Sequence, residues 1–140
     1  MIQRIQTIWL LIATALGFIS LKTSFFSGHR INDAAKEMIF VNARYNILLT
    51  IATTATAFVA LIAVFMFKDR KLQLKMAIIA ILLSIGTIAL YFWQKQSFIP
   101  EESSITLTAI IPAAIPVFLL LAARNIWKDE KLVKSVDRLR

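Results

Sequence analysis

Four threonines lie within one uncharged stretch of this sequence: Thr50, Thr53, Thr54 and Thr56. Hydroxyls at this density could line a polar path or bind a small ligand. A helical threonine can instead donate to the carbonyl four residues before it in its own helix. We expect this structural use, because no acidic or basic residue accompanies the threonines, and an ion or proton pathway normally includes an ionisable group at depth.

Two prolines, Pro112 and Pro116, stand four residues apart in another uncharged stretch. Each removes a backbone N–H, so a helix here should lose hydrogen bonds on one face and bend. Such bends can act as hinges, or as breaks that face a ligand in transporters. They more often shape packing, since neighbouring groups can satisfy the freed carbonyls. We therefore expect a packing role.

The ionisable side chains do not form a recognisable reactive group. His29 is the single histidine and has no clustered carboxylates beside it, so it predicts neither a metal site nor a catalytic triad. Glu101 and Glu102 could pair as acid and base or chelate a cation, but carboxylates before an apolar run more simply favour a helix N-terminus. The absence of cysteine excludes thiolate ligands and cysteine nucleophiles. We predict no catalytic residue, no metal, no cofactor and no enzymatic activity.

Long apolar blocks hold these residues and determine the expected fold. The chain is 59% hydrophobic and 17% charged, with a mean hydropathy of +0.73. Helices of roughly 17 to 23 residues rise about 26 to 35 Å, which matches a hydrocarbon core of about 30 Å. The blocks do not alternate as barrel strands would. We predict one all-α domain, residues 1–140: an integral membrane, antiparallel bundle of four transmembrane helices at about 5–21, 45–67, 74–93 and 105–123, with a cytoplasmic tail at 124–140.

Small residues spaced four apart predict where the helices approach each other, because they let backbones come close in lipid. They could alternatively form a surface for the helix of another protein. The sets are Ala13 with Gly17, Ala52 with Thr56 and Ala60, Ala80 with Ser84, and Ala109 with Ala113.

The longest connection, residues 22–44, predicts a short helix on the outer membrane surface. Asn32 or Asp33 could cap it. Residues 68–71, by contrast, are so few that the second and third spans should form a tight antiparallel hairpin. The apolar face of the surface helix would carry Ile31, Ala35, Met38 and Ile39.

Lysine and arginine flank the apolar blocks unevenly. Eleven of the 16 lie on the side of the N-terminus, the 68–75 connection and the tail, and five lie on the other side. Because positive residues near a span resist translocation, both termini are expected in the cytoplasm. The net charge of +8 then reflects contact with membrane lipid headgroups. Without a basic stripe interleaved with aromatics, it does not predict nucleic-acid binding.

The tail places Leu132, Val136 and Leu139 at helical spacing. The resulting apolar face could rest on the anionic inner leaflet or dock on a partner protein, and the sequence alone leaves both options open.

The two ends of the chain carry unusual polar strings: MIQRIQ at residues 1–6 and DEKLVKSVDRLR at residues 129–140. With the apolar spans between them, they resemble a family of small bacterial four-span membrane proteins classed as a domain of unknown function. The resemblance implies the inner membrane of a diderm bacterium and brings no activity or catalytic residue. It draws attention to candidate partner contacts on the cytoplasmic face: Gln3, Arg4, Gln6, Asp129, Lys131, Asp137 and Arg138.

These features together predict a non-enzymatic accessory or structural subunit that packs against a larger inner-membrane protein complex. The alternative is a small transporter or channel-like protein, with a path lined by threonines of the second span. An enzyme acting on lipid or quinone within the membrane is a third option, disfavoured because the chain lacks acid, base, metal and nucleophile candidates.

Overall fold

Helices make up most of this chain. The computed structural model describes residues 5–35 and 37–139. Short strands occupy two of the three connections between the helices, and a 3₁₀ turn at Leu107–Ala109 leads into the last helix. The elements are α1 (Ile5–Ser20), β1 (Ser24–Gly28), β2 (Ile39–Asn42), α2 (Ile47–Phe65), α3 (Arg70–Lys95), β3 (Ser104–Ile105) and α4 (Ile110–Asp137).

The strands form a small antiparallel sheet in the order β2-β1-β3. Phe26 in the central strand pairs with Val41 on one side and with Ile105 on the other. The expectation of an all-α chain is therefore wrong in this respect. The protein is mostly helical and carries a sheet that joins the first connection between helices to the third.

The described residues of the first connection, 22–35 and 37–44, do not form the surface helix expected there. Residues 31–35 run largely through turns, and Ile39 already belongs to β2. Ile39, Phe40 and Val41 are β-branched or aromatic residues, which favour a pleated strand. The neighbouring strand β1 supplies hydrogen-bond partners for them, whereas a single short helix in a loop has little to stabilise it.

The helix boundaries follow capping residues more closely than they follow hydropathy. Asn46 begins α2 by accepting a hydrogen bond from Leu48 N at 3.1 Å, and Asp69 begins α3 by accepting one from Leu72 N at 3.2 Å. The cap at Asp69 starts α3 four residues before the apolar block predicted to begin at 74. Glu101 and Glu102 lie in a turn before β3 instead of at a helix N-terminus.

Each helix packs against two others. α1 contacts α2 and α4, and α3 contacts the same two helices. The small residues predicted as the seam are mostly buried, but Ala113 is exposed because its neighbour Pro112 takes the buried position. The buried core between the helices is accordingly rich in alanine: Leu10, Ala13, Ala60, Ala63, Ala77, Ala80, Ile115, Leu119, Ala122 and Ile126.

A second core lies under the sheet and consists largely of aromatic side chains. Phe25 stacks on Tyr91 with ring centroids 4.4 Å apart, and Phe26 meets Phe98 edge to face at 5.1 Å. Val41 and Leu49 complete it from β2 and α2. The sheet therefore closes one end of the helices.

Within the described residues, three helical segments are long and apolar enough to cross a membrane: Ile47–Phe65, Arg70–Lys95 and Leu107–Asp137. The helix α1 is apolar but shorter, with 16 residues. Large apolar side chains cover the outward faces of these segments, as Leu82 does with 65% of its surface exposed. The structure is thus compatible with a membrane protein that presents these faces to lipid.

Replacing Gly17 by alanine is expected to destabilise the protein by about 1 to 3 kcal/mol, because the new methyl group would overpack the contact between α1 and α2. A Cβ at Gly17 would lie 2.9 Å from Ala57 Cβ and 3.3 Å from Ala57 Cα. Neither atom can move without moving α2. Thermal unfolding of the purified protein in detergent, followed by circular dichroism, measures the loss.

The matched control is Gly86→Ala in α3. Apart from its chain neighbours and the backbone of its own helix, no described heavy atom lies within 4 Å of a Cβ built at Gly86, so this variant should unfold at or above the wild-type temperature. Equal destabilisation by both substitutions would contradict the close approach of α1 and α2.

Candidate functional site

A small cavity lined by hydroxyls lies between all four helices. Its space for the centre of a water-sized molecule is about 10 Å³, which is near the minimum needed to hold one water. Every helix contributes to the wall: Ser20 from α1, Thr53 and Thr56 from α2, Ser84, Thr87 and Ile88 from α3, and Pro112 and Ile115 from α4.

Most hydroxyls around this cavity donate to the backbone of their own helix. Ser20 donates to Gly17 O at 2.8 Å, and Thr56 donates to Ala52 O at the same distance. The α3 hydroxyls behave alike: Ser84 donates to Ile81 O at 2.7 Å and Thr87 to Leu83 O at 2.9 Å. The proton of each of these hydroxyls is engaged in a hydrogen bond, but its oxygen can still accept another.

Thr53 is the exception on the cavity wall. Its Oγ1 is buried and has no hydrogen-bond partner among the described residues, and the side chain is 2% exposed. Thr50 donates to Asn46 O at 3.1 Å, four residues earlier as expected from the sequence, and also contacts Ala43 O at 2.8 Å; Thr56 likewise makes the expected bond. Thr54 is half-buried and does not line the cavity. The threonines of α2 therefore do not act alike.

Pro116 leaves one backbone carbonyl of α4 without its helical donor. It lies inside α4, and because it has no N–H, the carbonyl of Pro112 loses its helical donor. Pro112 itself lines the cavity and lies in the first turn of α4, where a proline is tolerated. The cavity can thus offer one hydroxyl proton and several oxygen acceptors, but none of its lining residues is ionisable.

At the far end of the helices from the sheet, two glutamines meet inside the protein. Gln6 Nε2 donates to Gln73 Oε1 at 3.3 Å, and Gln73 Nε2 donates to Ala63 O at 2.9 Å. Gln6 is 1% exposed and Gln73 is fully buried. Gln6, a candidate partner contact, thus joins α1 to α3 instead of reaching the surface.

The other candidate contacts lie on the C-terminal part of α4, while Gln3 and Arg4 lie outside the described residues. Asp129 is half-buried, and its carbonyl accepts a hydrogen bond from Arg70 Nη1 at 3.3 Å. Lys131, Asp137 and Arg138 are exposed. The start of α3, which carries Gln73 of the internal pair, therefore lies beside the C-terminal part of α4.

Lys131 lies with its Nζ 5.8 Å from the centre of the Trp127 ring, a weak cation–π contact at an exposed site. Lys131 and Arg138, the C-cap of α4, are seven residues apart and lie on the same side of the helix axis, whereas Asp129 and Asp137 lie on other sides. The candidate contacts therefore do not form one patch.

Residues 2–139 match the model of a protein family described as a domain of unknown function (DUF4293). The chain belongs to the DUF4293 family. The matched range takes in both polar terminal strings, so the resemblance expected from them is confirmed. No curated protein and no solved structure matches this sequence. The function of this DUF4293 chain therefore has to be argued from its own geometry.

The structure brings together one pair in the DUF4293 chain that the sequence treats separately. His29 Nδ1 lies 3.0 Å from Glu102 Oε2, linking the first and third connections beside the sheet. Both side chains reach the surface, where such a pair adds little stability. Across the described ranges 5–35 and 37–139, no group of three or more His, Cys, Asp or Glu side chains could hold a metal ion.

Gln73 is the residue of this DUF4293 chain that sequence reasoning missed. It stands just before the predicted third span, yet it is four residues before Ala77 and seven before Ala80. That spacing puts it on the same buried face as those alanines. A glutamine in line with a seam of small residues is the signal that could have identified it.

Replacing Gln73 by leucine is expected to destabilise the protein by about 1 to 3 kcal/mol, because the buried Gln6 amide loses its partner. The double variant Gln6→Leu/Gln73→Leu removes both polar groups and should recover most of that loss. Unfolding of the four members of this cycle in mixed micelles measures the coupling. Gln96→Leu, at an exposed position of the same chain, is the control, and additive losses would contradict the pairing.

Proposed function

We propose that this protein is a non-enzymatic membrane protein of the bacterial inner membrane, an accessory or structural subunit that packs against a larger membrane complex. Its four helices cross the bilayer as an antiparallel bundle with both termini in the cytoplasm. The arrangement is supported by the contacts of each helix with two others. The excess of lysine and arginine on the side of the termini supports the orientation.

The observation that carries the proposal is the length of α4. The helix is unbroken over 28 residues, which rise about 42 Å, more than the roughly 30 Å of a hydrocarbon core. Its buried residues end at Ile126. The part of α4 that follows, residues 127–137, has no buried residue but keeps a contact with α3 through the hydrogen bond from Arg70 to the Asp129 carbonyl. It is here called the α4 extension.

The α4 extension exposes an apolar stripe. Leu132 is 65% exposed and Val136 is 61% exposed, and they lie four residues apart on one face of the helix. Leu139, just beyond the helix, is 89% exposed. Apolar side chains at this spacing are typical of a helix that docks in the groove of a partner or alongside another helix.

Basic residues border this stripe. Lys128, Lys131 and Ser135 lie beside Leu132 on the same exposed face of the helix. Such a surface complements a partner segment that presents apolar side chains flanked by carboxylates. Lipid would also attract the cations, but an unbroken α4 carries the stripe along the helix axis and away from the membrane. This favours a protein partner over the inner leaflet.

Purification of the tagged protein from its native membranes in a mild detergent, with quantitative mass spectrometry, tests the proposal. Wild type should recover one larger complex in stoichiometric amount. The variant Leu132→Asn/Val136→Asn should lower that recovery by about tenfold if the stripe contributes about 1.4 kcal/mol to binding. Repeated recovery of the wild-type chain alone would contradict the accessory role.

The matched control lies on another side of the same helix. Lys134 Nζ and Glu130 Oε1 form an ion pair of 2.9 Å there, with the Lys134 side chain 65% exposed and that of Glu130 15% exposed. A helical pair four residues apart with one partner in solvent contributes little stability. Glu130→Gln/Lys134→Gln should therefore retain the complex. Loss of the complex in the control as well would show that the α4 extension does not bind through its apolar stripe.

A small transporter or channel is the second candidate, and the hydroxyl-lined cavity is the observation that favours it. Proteoliposomes challenged with glycerol or urea and followed by stopped-flow light scattering measure passage of small neutral solutes. In this case Thr53→Val, on the cavity wall, should abolish the flux, while Thr54→Val, away from it, should not. Wild-type flux equal to that of protein-free liposomes would contradict the candidate.

A further inference from the structure

The residues that line the cavity between the helices have fewer free hydrogen-bond donors than acceptors. Thr53 Oγ1 is its one hydroxyl that finds no partner in the described structure. The oxygens of Ser20, Ser84 and Thr87 already have their protons engaged by backbone carbonyls. The lining residues thus include one free hydroxyl donor and several hydroxyl oxygens whose protons are engaged, and also Pro112, whose carbonyl lacks a helical donor because of Pro116.

Burying a hydroxyl without a partner costs about 1 to 3 kcal/mol. Thr53 could avoid this cost by donating to the carbonyl of Leu49, four residues earlier, as Thr56 does to Ala52. It does not adopt that arrangement. The proton of the Thr53 hydroxyl therefore needs an acceptor from outside α2.

The size of the cavity limits what that acceptor can be. About 10 Å³ of space for a water-sized centre suffices for one water and is too small for an organic ligand. A bare cation would fit by volume, but no carboxylate lines the wall to balance its charge. Water accepts from one donor and gives two protons to acceptors, which matches the groups present.

We propose that this cavity is a binding site for a single water molecule, which accepts a hydrogen bond from Thr53 and donates to the Pro112 carbonyl and to one of the facing hydroxyl oxygens. The water joins α2 to α4 at the centre of the protein and also contacts α1 or α3. Pro116 acts in this site by freeing the carbonyl that the water binds. The inference stands apart from the function proposed above, which rests on the α4 extension.

Water-edited solid-state NMR of the full-length protein in lipid bilayers tests the site. Magnetisation should pass from water to the Thr53 methyl group much faster than to the Ala80 methyl, which is fully buried in the alanine core. Thr53→Ser keeps the donor and should retain the transfer to the neighbouring Ser84 and Thr87. Thr53→Val is nearly isosteric but has no donor, and it should lose that transfer.

Two further variants separate a bound water from a general effect on folding. Thr54→Val lies outside the cavity wall and should leave the transfer to Ser84 and Thr87 unchanged. Pro116→Ala restores an N–H opposite the Pro112 carbonyl and should weaken the transfer while circular dichroism shows the helices intact. Both results would support the site.

Three outcomes would overturn it. The first is transfer to Thr53 in wild type that is no faster than transfer to Ala80, which would show a dry cavity. The second is undiminished transfer to Ser84 and Thr87 in Thr53→Val. The third is a signal that disappears when sodium is replaced by choline, which would identify a cation in place of the water.

Discussion

The close approach of helices at small side chains is the constraint on which the rest of this structure depends. At Gly17 the space for even one additional methyl group is filled by Ala57. Helices this close leave room inside for alanine and hydroxyl side chains but for few larger ones. In lipid, where apolar side chains gain little by leaving the solvent, such packing and the hydrogen bonds it encloses hold helices together. The Gln6–Gln73 contact and the hydroxyl-lined cavity both depend on this spacing.

The two ends of the set of helices differ in structure. At one end the sheet and its aromatic core, with Phe25 stacked on Tyr91, cover the helices. At the other end the glutamine pair closes the interior and the α4 extension continues beyond it. Apolar side chains are exposed at both ends, as Phe40 and Leu107 are beside the sheet and Leu132 and Val136 are on the α4 extension. The proposed partner is placed at the α4 extension because its apolar stripe lies on a helix that continues beyond the last buried residue, Ile126.

Sequence reasoning located the helices because bilayer thickness sets the length of an uncharged run, and it located most of the seam because small residues recur every four positions. It failed where the deciding contacts are non-local. The strand Ser104–Ile105 is too short to recognise alone and exists through pairing with Phe26 and Ser27, far away in the chain. Whether the Thr53 hydroxyl donates to a carbonyl of its own helix depends on the surrounding helices. The unbroken end of α4 was missed because charged residues signal a surface without saying whether the helix bends there.

The sheet order has a consequence for how the chain is made. The central strand β1 emerges before α2, but its partner β3 follows α3, so more than half of the chain is synthesised between the two strands. In the proposed topology, β1 and β2 reach the far side of the membrane first. The edge of β1 that pairs with β3 then remains unpaired until β3 arrives. The helices α1 and α2 can insert as a hairpin during this time, yet the aromatic core cannot close until the third connection has been translocated. The sheet therefore forms late in assembly, because it can be completed only when both halves of the protein have crossed the membrane.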